Sequence, residues 1–336
     1  MPTAMKRAAT LTLTDIPGVR VGHATDSRGL TGCTVILAGK SGFVAGCDIG
    51  GGASGTREME PCRPGHVASR VHALLFAGGS AYGIAAADGV MRYLERRGIG
   101  HPTSAGVVPI VPTAILYDLA VGRATARPDS RMGIDACRAA SARPVASGNV
   151  GAGTGATVGK LLGMRFAMRG GLGNAGVRMG EKRPGITVSA LAVVNAVGDV
   201  RCPDTGEIMA GVRSATGRGF ADAVRLLETG VARRSPLERT SGTTLVAIVT
   251  DALLTRPEAC RIARRCQDAL ARTITPCHTQ FDGDIVFVLS AGTRRADPER
   301  IAMAAGRACG LAIADGVRTA VSLRQVPSWR DRDPRS

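Results

Sequence analysis

Short apolar runs alternate with longer helical patterns along most of this chain. A run of about four to eight apolar, often β-branched residues bounded by small or polar residues is typical of a buried strand. The pattern predicts strands at residues 34–37, 73–76, 188–194, 245–250 and 285–289. Strands that alternate with helices are typical of an α/β protein, and that is the fold class the pattern predicts.

Three longer segments predict helices. Residues 82–97 have a face of mixed polarity and are followed by Gly98, a residue common just beyond the end of a helix. Residues 257–272 and 298–307 each carry a proline in the first turn, where a missing N–H costs least. The alanines at 85–87 would let the first of these helices pack tightly on a sheet.

The chain shows no linker composition between its apolar segments. We predict a single domain over residues 13–324, with a ragged N-terminal segment at 1–12 and a flexible tail at 325–336. Hydrophobic residues make up 44% of the chain but aromatic residues only 3%. Such a core is expected to consist of Ala, Val, Leu and Ile rather than of stacked rings.

The formal net charge of +16 suggests a polyanion partner, but its distribution argues against one. The arginines are scattered and stacking aromatics are scarce, so we expect no nucleic-acid partner. The nine cysteines form no C-x-x-C pair and predict reduced thiols. Without a secretory signal or an 18-residue apolar run, we expect a cytoplasmic protein and no membrane partner.

A glycine followed by threonine stands at the start of the 245–250 strand. Gly242 adds no side chain around its own carbonyl, and the Thr243 hydroxyl can attack that carbonyl. Cleavage would leave Thr243 as a new N-terminus that carries both a nucleophile and an amine base, whose reference pKa is roughly 7.7–8.0. An ordinary strand after a turn also explains these residues by themselves.

Two carboxylates precede the 285–289 strand. Asp282 and Asp284 would point to the same side if they led directly into that strand, because strand side chains repeat every second residue. A turn explains the pair equally well, whereas a calcium loop would need further oxygen ligands. Beside a new ammonium group, Asp282 could hold the Thr243 amine and Asp284 could support it.

Other motifs point to no cofactor. Residues 151–155 break the spacing of a dinucleotide-binding loop, and Lys160 is followed by leucine rather than by the Ser/Thr of a phosphate loop. The five histidines lack the spacing of metal ligands. Lys160 is nevertheless one of only four lysines among 43 basic residues, and lysine, unlike arginine, can lose its proton when buried.

Several segments occur in a fixed order around Thr243. They are residues 78–83, 108–112, 151–156, 194–196 and 281–284. With these segments the chain resembles, from about Asp15 to about Leu323, the self-processing N-terminal-nucleophile amide hydrolases. That family includes L-aminopeptidase/D-esterases, β-peptidyl aminopeptidases and nylon-oligomer (6-aminohexanoate oligomer) hydrolases.

The resemblance implies catalytic residues. Thr243 matches the nucleophile, and Asp282 and Asp284 match the acidic pair that favours the nylon-oligomer hydrolase branch. The remaining catalytic positions fall on Tyr117 as a hydrogen-bond donor, Lys160 as a cation that lowers the pKa of the nucleophile or stabilises negative charge, and Asn195 as an oxyanion donor. Many members have Asn before the nucleophile, whereas this chain has Gly242.

The resemblance also implies a fold, a reaction and partners. We expect a four-layer α/β/β/α sandwich, cleaved between Gly242 and Thr243 into an α chain (1–242) and a β chain (243–336) that stay associated. The expected substrates are small peptides, β-peptides, amino-acid amides or ω-amino-acid oligomers, with no cofactor. The relatives imply a homotetramer. The alternatives are an ornithine-acetyltransferase-like acyltransferase with the same self-cleavage, and an unprocessed, non-catalytic scaffold.

Overall fold

The protein is described from a computed structural model over residues 11–180, 185–216, 219–230, 241–324 and 326–331. The strands are β1 (Arg20–Asp26), β2 (Thr31–Leu37), β3 (Val44–Ile49), β4 (Gly55–Arg57), β5 (Ala73–Ala77), β6 (His101–Thr103), β7 (Gly106–Val108), β8 (Thr113–Ile115), β9 (Thr157–Val158), β10 (Met168–Arg169), β11 (Gly171–Met179), β12 (Ile186–Asn195), β13 (Asp199–Arg201), β14 (Ile208–Ala210), β15 (Thr243–Ala252), β16 (Ile274–Thr275) and β17 (Ile285–Arg294). The α-helices are α1 (Ala86–Glu95), α2 (Ser130–Ala139), α3 (Ala223–Glu228), α4 (Arg256–Thr273) and α5 (Pro298–Thr319).

Two large mixed sheets organise the described residues. The first has the strand order β1-β2-β5-β8-β4 and the second the order β11-β12-β15-β17-β3. In the second sheet β15 pairs antiparallel with β12 and parallel with β17. Strand β15 is therefore the central strand of its sheet, bonded on both edges.

Alternate residues of the strands face different apolar clusters. Between the two sheets lie residues such as Phe76 of β5 and Phe287 of β17, whose ring centroids are 5.9 Å apart. The opposite face of the second sheet packs on α4 and α5, while the opposite face of the first sheet packs on α1 and α2. A period of two sends successive side chains to these opposite faces.

The mixed α/β fold in one domain is confirmed, and the predicted strands lie within β2, β5, β12, β15 and β17. Two helices differ from prediction. Residues 80–85 form a 3₁₀ segment before α1 begins at Ala86, and α5 runs on to Thr319 rather than ending at Arg307. Glycines lower the helix propensity of the part of α5 that follows Arg307, but burial against the second sheet stabilises it.

The glycine-rich strand β11 has no counterpart in the predicted elements. A Cβ on Gly173 would lie 2.1 Å from the Ala312 carbonyl oxygen of α5 and 2.3 Å from the backbone nitrogen of Gly316. The strand and the helix therefore approach backbone to backbone, which only glycine allows.

Most residues of the predicted ragged segments, 1–12 and 325–336, lie outside the described residues, so these boundaries stay predictions. The nine cysteines are free thiols. Across the described part of the chain, no helix combines the length and the apolar character that a membrane crossing requires.

Candidate active site

The register of three strands brings the first candidate residues together. In the antiparallel β12–β15 pair, Asn195 at the end of one strand lies opposite Thr243 at the start of the other. On the other side of β15, Leu245 lies opposite Ile285 of β17, so Asp284 comes just before the paired stretch. Its Oδ1 accepts a hydrogen bond from the Thr244 amide at 2.6 Å. The sheet itself therefore places Asn195, Thr243 and Asp284 side by side.

The Thr243 hydroxyl lies against the carbonyl that it is expected to attack. Thr243 is only 3% exposed, and its Oγ1 donates to the Gly242 carbonyl oxygen at 2.5 Å. The Gly283 amide donates to the same oxygen at 2.9 Å. Two donors on one carbonyl polarise it, and the Gly283 amide is fixed where negative charge would develop on that oxygen.

Gly242 has no room for a side chain. A Cβ at this position would lie 2.4 Å from Oδ1 of Asp282 and 2.5 Å from the Val197 amide nitrogen. Only glycine fits before Thr243, because Asp282 and the backbone after β12 approach this residue directly.

The two carboxylates are buried and held by different partners. Asp282 accepts from the Thr279 amide at 3.1 Å and from its hydroxyl at 2.6 Å. Oδ2 of Asp284 accepts from the amide and from Nδ1 of His278, both at 3.0 Å. Burial, and then the neighbouring charge of Asp284, raise the pKa of Asp282. The predicted grouping of the two carboxylates beside Thr243 is therefore seen in the structure.

Lys160 is a buried amine bonded to Asn195. It is 5% exposed, and its Nζ donates to the backbone oxygen of Asn195 at 2.8 Å and to Oδ1 at 3.0 Å. Burial lowers the pKa of Lys160 from 10.5 to about 7, against the opposing attraction of nearby carboxylates. The amine can therefore be neutral or charged near neutral pH, which an exposed lysine cannot.

The Asn195 side chain is fixed at both ends. Its Oδ1 also accepts from the Thr157 amide at 3.1 Å, and its Nδ2 donates to the Tyr117 carbonyl oxygen at 3.0 Å. An amide nitrogen carries two hydrogens, so within the described contacts one is left for a substrate oxygen. This geometry suits the predicted oxyanion donor.

Tyr117 enters the site differently from the prediction. The contact with Asn195 comes from its backbone carbonyl, while the side chain is 36% exposed and lines a small cavity beside Lys160 and Ser241. The predicted donation by its hydroxyl stays a prediction.

Sequence reasoning missed several residues that complete the site. Asp118 accepts from the Thr31 hydroxyl and from the Gly79 amide, both at 2.7 Å, and its charge acts on Lys160. Burial raises the pKa of Asp118. The spacing of the histidines gives His278 no role, yet its hydrogen bond to Asp284 is the main cause that raises its pKa to about 10. Only the Thr279–Asp282 spacing, typical of a side-chain-capped turn, was readable from the sequence.

The spacing of the histidines along the sequence also gave no sign of one group of possible metal ligands. Ligand atoms of Cys277, His278 and Asp284 lie within 4.8 Å of one another. Both carboxylate oxygens of Asp284 already accept N–H groups, so these residues form a hydrogen-bonded group that supports the start of β15.

The site brings together a buried hydroxyl, an amine with a lowered pKa and an acidic pair near the start of β15. With the family match and the relatives given below, the protein is a hydrolase that acts on amide bonds. Comparison with known proteins gives the family. Residues 12–325 match the description "Peptidase family S58", and the chain belongs to that family.

Relatives and a solved structure agree with this assignment. The chain is 38% identical to an uncharacterised aminopeptidase of Mycobacterium tuberculosis, over 96% of this chain and 98% of that one. It is 30% identical to a 6-aminohexanoate-oligomer endohydrolase of Kocuria sp., over 82% of this chain and 74% of that one. The fold is similar to the L-aminopeptidase D-Ala-esterase/amidase of Ochrobactrum anthropi, a variant of the Ntn hydrolase fold, with a TM-score of 0.69 and 19% identity over 92% and 86% of the two chains.

Proposed function

We propose that this S58 hydrolase activates itself by cleavage between Gly242 and Thr243 and then uses Thr243 as an N-terminal nucleophile. The observation that carries the proposal is the 2.5 Å contact between the Thr243 hydroxyl and the Gly242 carbonyl oxygen, with the Gly283 amide on the same oxygen. A carbonyl held by a nucleophile and an oxyanion donor is arranged for acyl transfer.

The self-cleavage step is an N-to-O acyl shift followed by hydrolysis. Oγ1 forms a bond to the Gly242 carbonyl carbon, the C–N bond to Thr243 breaks, and the hydroxyl proton ends on the released amine. Water then hydrolyses the ester and leaves a carboxylate on Gly242 and a free amine on Thr243. The close contacts that exclude a side chain at Gly242 hold this peptide in place during the shift.

In the cleaved enzyme the surrounding groups take on the roles of a hydrolytic site. The Thr243 amine activates its own hydroxyl and later a water molecule. Asp282 and Asp284 hold the amine when it is protonated, Asn195 donates to the oxyanion, and Lys160 adds positive charge or accepts a proton. Tyr117 donates to the substrate from the wall of the adjoining cavity.

The cleaved chains stay together because the cut lies inside one sheet. Strand β15 pairs with β12 of the α chain, and β17 of the β chain pairs with β3 of the α chain. The three apolar clusters support the four-layer α/β/β/α sandwich and would hold both fragments in one core. A homotetramer stays a prediction from the resemblance.

The peptidase family and the aminopeptidase and endohydrolase relatives favour hydrolysis over the acyltransferase alternative. The substrates we propose are small peptides, β-peptides, amino-acid amides and ω-amino-acid oligomers. The test is to incubate purified protein with an amino-acid p-nitroanilide, a β-dipeptide and a linear 6-aminohexanoate oligomer, and to follow released amine. Release that Thr243→Ala abolishes supports the proposal.

A parallel assay separates the alternatives. N-acetylornithine and glutamate are supplied together, and acetylglutamate is measured. Robust transfer without hydrolysis of any amide would replace the hydrolase by an acyltransferase, and inactivity in both assays would favour a scaffold.

A further inference from the structure

Three cysteine side chains meet where the edge strand β3 packs against the start of α4. Cys47 lies in β3, Cys62 ends a 3₁₀ turn that follows β4, and Cys260 lies near the start of α4. A Cβ on Gly46 would lie 2.3 Å from the Cys260 amide nitrogen, so the strand and the helix approach backbone to backbone here. The packing of three separate elements therefore brings the three thiols together.

The thiols of Cys47 and Cys62 contact each other directly. Their side chains share a hydrogen bond, and Cys62 is buried in the apolar cluster between the two sheets with Cys47 packed against that cluster. Sulfur atoms that already share a hydrogen bond need only a short further approach to reach the roughly 2.05 Å of a disulfide bond. The two thiols are therefore placed to be joined without separating the sheets.

The third cysteine holds this pair in place. Sγ of Cys260 donates to the backbone oxygen of Cys62 at 3.2 Å and accepts from the backbone amide of Cys47. Its sulfur is thus bonded to main-chain groups of both partners. Both chain segments are fixed against α4, and we expect Cys260 to position the pair rather than to join it.

The two paired thiols differ in their readiness to react. The hydrogen bond from Cys62 lowers the pKa of Cys47, opposed by burial and helped by the charge of Arg63. The same hydrogen bond, together with burial, raises the pKa of Cys62. Cys47 is also partly exposed, whereas Cys62 is buried. Because the thiolate is the form that oxidants attack, Cys47 is expected to react first and Cys62 to resolve the product.

The segment between the two cysteines holds the backbone of the acidic pair. The Gly50 amide donates to the backbone oxygen of Asp284 at 3.0 Å, and the Ala53 amide donates to that of Asp282 at 2.8 Å. A bond between the two sulfur atoms would close a short loop that contains both contacts. Closing a loop restricts the unfolded chain and so favours the folded one.

We propose that Cys47 and Cys62 form an oxidation site, a dithiol that hydrogen peroxide converts reversibly into a disulfide, which clamps the segment that holds the acidic pair. This inference goes beyond the proposed function and does not depend on it. Both cysteines lie before the Gly242–Thr243 peptide, so the disulfide forms within one chain whether or not that peptide is cleaved.

The oxidation takes two steps. The Cys47 thiolate attacks one peroxide oxygen, the O–O bond breaks and hydroxide leaves, so that Cys47 becomes a sulfenic acid. The Cys62 sulfur then attacks the Cys47 sulfur, the S–O bond breaks, and water leaves with the Cys62 thiol proton. Peroxide is reduced and the two thiols are oxidised, and a dithiol reductant restores them by exchange.

Peptide mapping of the wild-type protein tests the bond directly. Trypsin cleaves after Arg57 and spares Arg63, which is followed by proline, so the two cysteines fall into peptides 41–57 and 58–70. After brief peroxide treatment and alkylation of the remaining thiols, we expect these two peptides to be joined with the loss of two hydrogens, and to separate after reduction. Absence of the joined pair, or a bond from either peptide to the one that contains Cys260, would overturn the proposal.

Variants assign the two roles. In Cys62→Ser the Cys47 sulfenic acid has no resolving thiol, and we expect a dimedone adduct at Cys47. In Cys47→Ser we expect Cys62 to stay reduced under the same treatment. The control Cys202→Ser removes another partly exposed thiol, after β13, and should form the joined peptides as wild type does. An oxidised Cys62 in Cys47→Ser, or no adduct in folded Cys62→Ser, would contradict the assigned order of attack.

Thermal unfolding tests the clamp. The peroxide-treated wild type should unfold at a higher temperature than the reduced protein, and a dithiol reductant should reverse the shift. Cys47→Ser, which keeps the buried Cys62, should show no shift with peroxide, whereas Cys202→Ser should shift as wild type does. Joined peptides with an unchanged unfolding temperature would refute the clamp.

Discussion

The two ends of strand β15 use the same structural device in different surroundings. At the start, Asp284 accepts the Thr244 amide at 2.6 Å; at the end, Asp251 accepts the Thr187 amide of the neighbouring strand at 2.7 Å. At each end a threonine hydroxyl donates to a backbone carbonyl, Thr243 to Gly242 and Thr250 to Thr187. Judged by hydrogen bonds alone, the two ends look alike.

They differ in what is buried with the carboxylate. The Asp284 side chain is 2% exposed and lies among Asp282, His278 and the low-pKa Lys160. Asp251 pairs with Arg294 in a contact whose side chains are 20% and 42% exposed, and such pairs contribute little to stability. A carboxylate that accepts a backbone amide at the end of a strand is therefore a common structural feature. A buried amine and a nucleophile beside such a carboxylate indicate a catalytic site.

Exchanging each threonine for alanine breaks this comparison most strongly. Thr243→Ala is expected to abolish self-cleavage and to lower amide hydrolysis by at least about 10⁴-fold, since it removes the nucleophile. Thr250→Ala removes two buried hydrogen bonds, one donated to the Thr187 carbonyl oxygen and one accepted from the Ala252 amide. It is expected to cost about 1–3 kcal/mol of unfolding free energy with normal cleavage. Mass spectrometry, a hydrolysis assay and urea unfolding measure these effects. If Thr250→Ala also lost self-cleavage, the two ends of β15 would not differ in function as we predict.

The next largest effect is expected at Asn195. Asn195→Ala removes the oxyanion donor and should lower kcat by about 10²–10³-fold with a smaller change in KM. Its control is Asn174→Ala, another buried asparagine of the same sheet, which bonds to backbone and to Ser147 and should change only stability. Steady-state kinetics on the two variants give the comparison, and equal losses of kcat would speak for a general packing defect.

Self-cleavage should slow as the pH falls through about 7. The precursor has no free Thr243 amine, so Lys160, with its pKa of about 7, is the basic group that gains a proton there. Precursor made in a cell-free system and shifted across roughly pH 5–9 gives the rate profile. Lys160→Met is expected to remove this dependence, whereas exposed Lys40→Met retains it. If Lys160→Met still slows at low pH, the dependence would instead come from a carboxyl group with a raised pKa, such as Asp282.

The smallest expected effect concerns stability and His278. Its pKa is raised from 6.5 to about 10, so its contribution to the unfolding free energy is complete below 6.5 and is lost as the pH rises through about 10. Lys160, with a lowered pKa, acts in the opposite direction between about 7 and 10.5. Between pH 7 and 10, the unfolding free energy of His278→Gln should therefore rise more, or fall less, than that of wild type. Parallel pH curves for the two proteins would contradict this role.

The fold was predictable where local rules act alone. The apolar run of β15 and the capped start of α4, with Thr255, Glu258 and a proline in the first turn, follow from sequence pattern. Strand β11 was not predictable, because its glycines are explained by the backbone of α5, which lies far along the chain. Long-range approach of this kind leaves no periodic pattern in the sequence.

In the candidate site, too, local features were predictable from the sequence and long-range contacts were not. Thr243 and the Asp282–Asp284 pair stand next to strong strand patterns and could be singled out locally. Lys160 stands out in the sequence as a rare lysine, but its role and that of Asn195 came from the resemblance. The hydrogen bond between these two residues, 35 positions apart, was not predicted. His278 bonds to Asp284 through its amide and its ring and has a backbone φ of 55°, a conformation that sequence pattern gives no reason to expect at a histidine.

The most direct test of self-activation is the intact mass of the purified protein under denaturing conditions, compared with Thr243→Ala and Thr250→Ala. We predict two fragments, 1–242 and 243–336, for the wild type and Thr250→Ala, and a single uncut chain for Thr243→Ala. A single full-length chain for an active wild-type enzyme would contradict the account, because the Thr243 amine on which it depends would never form.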